Sequence, residues 1–303
     1  MTIALMLNRK AGVGRTKALV DYLFQQLDSA GINYIVVEGK SAEDAIEKAS
    51  AIAHQVKAVV AVGGDGSVHT AAQVAWKHSL PLGVIASGSG DDVARACGLP
   101  HGRNSDATRL AVDHFVTAWQ EQDFSHIDAL EVVTGDENSH VVLAVLSCGF
   151  DSRVNANSSK MTYLKGTFRY VVAMLKTLTR FTPIEYTITI DGEHQELRAM
   201  LVAVGNGSMF GGGMKVLPDA KVDDGELDIL IVHPVSIPTL LRIFPRIFKG
   251  THVFHHRVNA HRAKQIHMHA PGEQVWGDGE YLGPTPARIN LQAGRIAIFG
   301  ARL

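Results

Sequence analysis

At 303 residues the chain has the length of one large or two medium domains. Apolar residues make up 46% and charged residues 19%, the balance of an ordinary globular protein with a sizeable core, not of a disordered chain. A net charge of −1 gives no global pull toward nucleic acid, and no apolar run reaches the roughly 18 residues that span a bilayer. The opening MTIALMLNRK is too poor in apolar residues for a signal peptide. The two cysteines, Cys97 and Cys148, have no metal-ligand spacing. A cytoplasmic protein with buried, reduced thiols is expected.

In chain order, residues 3–7 read as a buried strand. The loop after it, 8–15, carries Arg9, Lys10, Arg15 and two glycines, either a seat for phosphate oxygens or a solvated basic turn. Leu19, Val20, Leu23, Phe24 and Leu27 repeat at helical spacing over 16–30, and Gly31 closes that helix. Residues 34–37 make a second strand. Ser41 caps a helix over 42–54, with Asp44 three residues on. The apolar run 57–62 then ends in Gly63-Gly64-Asp65-Gly66-Ser67, before a helix over 68–77. Glycines let the backbone turn sharply and approach a ligand, and the helix N-terminus favours phosphate. A carboxylate at Asp65 beside phosphate calls for an intervening cation, so Mg²⁺ is expected nearby. Strand 81–85 runs into a second such turn, Ser87-Gly88-Ser89-Gly90-Asp91-Asp92, then a short helix and an amphipathic helix over 105–122. Alternating strands and helices imply a parallel sheet, whose ligands bind at the carboxyl ends of its strands. Three glycine-rich loops at three strand ends therefore point to one nucleotide site.

After about residue 124 the pattern becomes β-rich: 127–133, 140–148, 184–190, 197–204, 227–232, 265–269 and 287–291. Turns at 134–138 and 191–193 suggest hairpins, and a mainly antiparallel sandwich follows. Two helical insertions interrupt it. One carries Met161, Leu164, Phe168, Val171, Leu175 and Leu178; the other covers 237–249 with a kink at Pro245. Residues 152–184 and 229–272 contain no Asp or Glu, yet each holds six Lys or Arg.

Three further stretches carry polar chemistry. Asn206-Gly207 opens a glycine-dense loop through Gly211-Gly212-Gly213-Met214. Asp219, Asp223, Asp224, Glu226 and Asp228 crowd a tight turn, either oxygen ligands for a hard cation or a solvated acidic turn. Trp276-Gly277-Asp278-Gly279-Glu280-Tyr281 sets two carboxylates in a compact turn, able to supply a general base or merely to shape the turn.

Together these motifs, in this order and spacing over nearly the whole chain, resemble the diacylglycerol kinase catalytic-domain family, which includes bacterial lipid kinases and the sphingosine kinases. The resemblance implies an N-terminal three-layer α/β domain with a parallel sheet, over 1–124, and a C-terminal antiparallel β-sandwich over 125–293. It also implies that 294–303 return to the first domain and that the active site lies in the cleft between the two. ATP would lie on Asn8, Arg9, Lys10, Ala11, Gly12, Gly63, Gly64, Asp65, Gly66, Ser67 and Ser89. Asp65 would hold the catalytic Mg²⁺. A second, structural Mg²⁺ would take Asp224 and the main-chain carbonyls of Lys221 and Glu226. Asp278 and Glu280 match the proposed base, and Glu280 is named first. The implied reaction is transfer of the γ-phosphoryl group of ATP to a hydroxyl of diacylglycerol, a sphingoid base or a similar lipid. The implied partners are a lipid met peripherally at the inner membrane surface and a second copy in a homodimer, with no nucleic acid.

The sequence departs from the family pattern at several points. Arg9 stands for the usual Pro, Ser67 for Thr, His69-Thr70 for Asn-Glu and Asp91 for Asn, and no Thr lies near Gly39. The alternatives are an NAD kinase-like enzyme, which shares the Gly-Gly-Asp-Gly turn, and a catalytically weak nucleotide- or lipid-binding regulator. Arg242, Arg246 and Lys249, with Lys165, Arg169, Lys176 and Arg180, are candidates for meeting anionic lipid beside apolar helix faces. The competing expectation is that those apolar faces pack on the sandwich and the cations are merely solvated.

Overall fold

The structure is a computed structural model, and it describes residues 1–7, 15–149 and 182–303. The expected basic loop at 8–14 and the helical insertion around 161–178 lie outside the described residues. The chain divides into two compact units, Met1–Ala129 with Ala293–Leu303, and Leu130–Gln292.

In the first unit, strands β1 (Thr2–Leu7), β2 (Asn33–Glu38), β3 (Ala58–Gly63) and β4 (Leu82–Ala86) form a parallel sheet in the order β2-β1-β3-β4. Helices α1 (Arg15–Ser29), α2 (Ala42–Ala51), α3 (Asp65–His78), α4 (Asp92–Ala96) and α5 (Ser105–Glu121) connect these strands or follow them. The reasons are local. Val59 and Val60 in β3 are fully buried, as a strand covered on both faces requires. The Ser41 hydroxyl accepts the Asp44 amide at 3.2 Å and starts α2. Leu23, Leu27, Val60, Val112, Phe115 and Phe299 belong to one core cluster. Burial pushes the Cys97 thiol up to about 12, so it stays a neutral core group.

The second unit is an antiparallel sandwich. One sheet runs β12 (Val258–Ala263), β11 (Leu227–Val232), β10 (Leu201–Gly205), β7 (Val145–Gly149), β14 (Gln274–Gly277), β15 (Glu280–Pro284). The other is built from β8 (Ile184–Ile190), β9 (Glu193–Ala199), β13 (Gln265–His269) and the first part of β16 (Ala287–Phe299), with the β5 (Phe124–Val133)–β6 (Ser139–Val142) hairpin. Leu146, Val202, Val204 and Ile229 of the first sheet share a buried cluster with Tyr186, Ile188, Ile266 and Ile289 of the second. A last helix, α6 (Ile237–Ile243), passes into a 3₁₀ turn, Phe244–Lys249, at the expected Pro245.

The N-terminal α/β fold and the C-terminal sandwich are as expected; several elements differ. The strand read over 140–148 is two, because Leu143 and Ala144 spend their backbone groups elsewhere. The strand read over 197–204 breaks at Met200, whose amide bonds the Val232 carbonyl at 2.7 Å. The run at 287–291 extends to Phe299, and the expected helix 42–54 ends at Ala51 with a 3₁₀ turn after it. Strands β12, β14 and β15 lie where no strand was read, since His, Arg, Gln and Gly mask their alternation.

Candidate active site

In the first unit the two glycine turns are in contact. A Cβ on Gly88 would lie 2.6 Å from Gly64 Cα, so only glycine lets these backbones approach. The Ser87 amide donates to the Gly63 carbonyl at 2.9 Å and ties the turns together. Gly63 itself has φ of 150°, outside the range of ordinary side chains. Asp65 opens α3, at the positive end of the helix dipole. Its Oδ1 accepts the Asp92 amide at 2.8 Å, and a Cβ on Gly90 would collide with its carboxylate. Asp91 lies beside it in the left-handed region, buried, accepting the amides of Gly88 at 2.7 Å and Gly102 at 3.2 Å. Burial raises the Asp91 carboxyl above its usual range, against the pull of the Gly88 amide. Arg95 and Arg103 donate to the carbonyls of Gly90 and Gly88, at 2.9 and 3.2 Å. Ser67 follows Asp65 in α3, and Ser89 lies in the second turn. Asp65, two glycine cradles and adjacent hard oxygen donors fit a Mg²⁺–phosphate group. The family's usual Asn-Glu position holds a buried His69 and Thr70, whose hydroxyl bonds the Gly66 carbonyl at 2.7 Å.

In the second unit three separate stretches meet at the dipeptide Leu143-Ala144. The buried Asp278 carboxylate takes both amides, Leu143 on Oδ2 at 3.0 Å and Ala144 on Oδ1 at 2.9 Å. The Ala144 carbonyl accepts the amides of Asn206 and Gly207 at 2.8 and 3.0 Å, and the Asn206 side chain reaches the Leu143 carbonyl at 3.4 Å. Asp278 and Gly279, with φ of 51° and 85°, form the two-residue turn between β14 and β15. That turn places Glu280 at the start of β15 with its side chain exposed. Asp278 therefore anchors the hairpin, while Glu280 stands at its outer surface.

The acidic loop carries a cation of its own. Arg262 lies 3.4 Å from Glu226 Oε2, 3.4 Å from Asp228 Oδ1 and 3.7 Å from Asp224 Oδ2, and donates to the Asp219 carbonyl at 3.1 Å. It faces Asp228 directly across the β11–β12 ladder. Burial raises the Asp228 carboxyl to about 6. Asp224 also caps its own turn, Oδ1 accepting the Glu226 amide at 3.2 Å. Among the described residues no cluster of three or more His, Cys, Asp and Glu side chains forms a metal cage. One carboxylate with main-chain carbonyls still suits a hard cation in kind, and Arg262 already supplies part of the charge.

Sequence reasoning named Asp65, Asp278, Glu280 and the acidic loop, but missed the partners that hold them. Asp92, Arg95 and Arg103 were within reach, as neighbours of a recognised glycine turn. Arg262 and the Leu143-Ala144 dipeptide had no local signal, because each meets its partner only through strand pairing or a distant turn.

Residues 2–122 match the diacylglycerol kinase catalytic domain, and 144–300 match the YegS C-terminal NAD kinase beta sandwich-like domain. A diacylglycerol kinase of Mycobacterium tuberculosis H37Rv is 33% identical over 302 residues, covering 99% of this chain and 95% of that protein. One from Staphylococcus carnosus is 26% identical, covering 94% and 90%. A crystal structure of a Bacillus anthracis diacylglycerol kinase superposes with a TM-score of 0.71 at 22% identity, covering 98% of this chain and 96% of that one. That likeness shows the fold. The family match and the 33% identity over nearly the whole chain make it a kinase of the lipid kinase class. The chain belongs to the diacylglycerol kinase catalytic-domain family, and it is an enzyme of that kind.

Proposed function

We propose that the chain transfers the γ-phosphoryl group of ATP to a hydroxyl of diacylglycerol or a closely related lipid. The observation that carries this reading is the packing of the two glycine turns around Asp65, which leaves backbone amides and a carboxylate where a metal-bound triphosphate fits. Bound Mg²⁺ would neutralise the charge of the transferring phosphoryl group. Asp65 would hold that ion. The amides of Gly64 and Gly66, with the hydroxyls of Ser67 and Ser89, orient the phosphates; Asn8 to Gly12 complete this seat in our reading but lie outside the described residues. Glu280 accepts the proton of the acceptor hydroxyl, and Asp278 fixes the hairpin that presents it. Asp224 with the carbonyls of Lys221 and Glu226 would hold a second Mg²⁺, beside Arg262. The choice of diacylglycerol follows the relatives that carry that name, and the lipid is met at the membrane surface.

The test is phosphate transfer from labelled ATP to detergent-dispersed diacylglycerol, a sphingoid base and NAD. Asp65→Asn and Glu280→Gln should each lower transfer to diacylglycerol by about 10²- to 10⁴-fold without unfolding the protein. Transfer to NAD alone overturns the lipid acceptor, and ATP binding with no transfer to anything overturns the kinase reading. Full activity in both variants overturns the residue roles.

A further inference from the structure

The segment 237–254 of the sandwich unit carries two apolar faces. Leu240, Phe244, Ile247 and Val253 pack on the buried cluster of Val216, Leu217 and Leu230. His252 fastens the segment there, its buried Nε2 donating to the Val216 carbonyl at 2.9 Å. The segment thus packs one set of apolar side chains and leaves another exposed. Ile237, Leu241, Phe248 and Phe254 point away from the core and are 42%, 44%, 49% and 84% exposed. Four of the ten large apolar side chains left exposed among the described residues thus fall within 18 positions of each other. Isolated exposed apolar groups need no explanation; a run of them does.

Charge says what covers this face. Arg242, Arg246 and Lys249 along the segment, and Arg257 just after it, are exposed, and none has a carboxylate partner among the described residues. No acidic residue occurs from 229 to 272. A protein partner that matched such a surface would need both an apolar groove and a dense acidic rim. A bilayer bearing anionic headgroups offers both features at once, with acyl chains for Phe248 and Phe254 and phosphates for the cations. We propose that α6 and the two 3₁₀ turns after it, Phe244–Lys249 and Thr251–Phe254, are the face by which this enzyme docks on anionic membrane. The choice of a bilayer over other apolar partners rests on the lipid-kinase reading.

The test is sedimentation of the full chain with sucrose-loaded vesicles, either pure phosphatidylcholine or phosphatidylcholine with roughly a third phosphatidylglycerol. The wild-type chain should sediment with the anionic vesicles and be released by salt. Leu241→Ser with Phe254→Ser, and separately Arg242→Gln with Arg246→Gln and Lys249→Gln, should each weaken partition about tenfold or more. The unfolding midpoints should hold, since these side chains are exposed. Equal partition of variants and wild type overturns the face. So does a wild-type chain indifferent to anionic lipid, or a dimer in sedimentation velocity that the serine variant dissociates. Sedimentation needs no turnover, so transfer to dispersed diacylglycerol with vesicle binding unchanged in the variants sinks this face and leaves the kinase reading standing.

Discussion

Asp278 shows how much one buried carboxylate can organise. Its two oxygens satisfy two amides that would otherwise be orphaned inside the sandwich, each worth about 1–3 kcal/mol if left without a partner. Asp278→Ala should therefore cost about 2–4 kcal/mol in urea unfolding, whereas Asp278→Asn, which keeps one acceptor and tolerates positive φ, should cost less. Glu280→Gln, on an exposed side chain, should leave the urea midpoint in place while transfer is lost, which separates anchor from base. His252 makes a pH prediction. Burial holds its imidazole below the usual histidine value of 6.5, so in acid the unfolded chain binds more protons than the folded one. Its contribution is complete above about pH 6.5 and is lost as pH falls through that value toward the folded pKa. Asp91, raised by burial, acts in the opposite direction. The difference between wild type and His252→Gln, measured as urea midpoints from pH 8 to 5, isolates the histidine and should shrink as pH falls.

Among the elements, the paired glycine turns are the most exacting. Their positions follow from short apolar strands that end in glycine, and that much was readable from residues 57–67 and 81–92. Their contact was not, because a side chain absent from Gly88 matters only once Gly64 lies opposite. Gly90→Ala drives a methyl into the Asp65 carboxylate and should lower kcat/KM by about 10- to 100-fold, with a stability loss of about 1–3 kcal/mol. A variant with unaltered kinetics would show that Asp65 need not sit where it does. The break in the strand read over 140–148 has the same origin. The run is buried over 141–148, but its middle dipeptide bonds to Asp278, Asn206 and Gly207 instead of continuing the ladder. Segment 237–249 is legible in the sequence as a helix with apolar faces and flanking cations; which apolar residues pack and which remain exposed emerges only with the sandwich beneath them.

For the molecule as a whole, charge is balanced partly from within. Arg262 holds Asp224, Glu226 and Asp228 together from the neighbouring strand, so the divalent ion proposed for this loop would share its work with a guanidinium. Arg262→Met should lower Tm in EDTA, and Mg²⁺ should restore more of that loss than it adds to the wild-type protein. An equal response to Mg²⁺ in both would mean that the loop takes no ion. Chain order alone determined the fold class, because the apolar periods, the glycines at strand ends and the acids in tight turns are local features that short-range sterics and patterning make legible; the order and spacing of those motifs carried the resemblance to the family. The partners of the site residues were decided only by tertiary structure. Strand register set Arg262 against Asp228, a hairpin brought Asp278 to Leu143 and Ala144, and one glycine turn met another across the sheet edge. The reason is physical: a buried polar group needs a partner within hydrogen-bond reach, and packing, not sequence separation, decides which groups come within it.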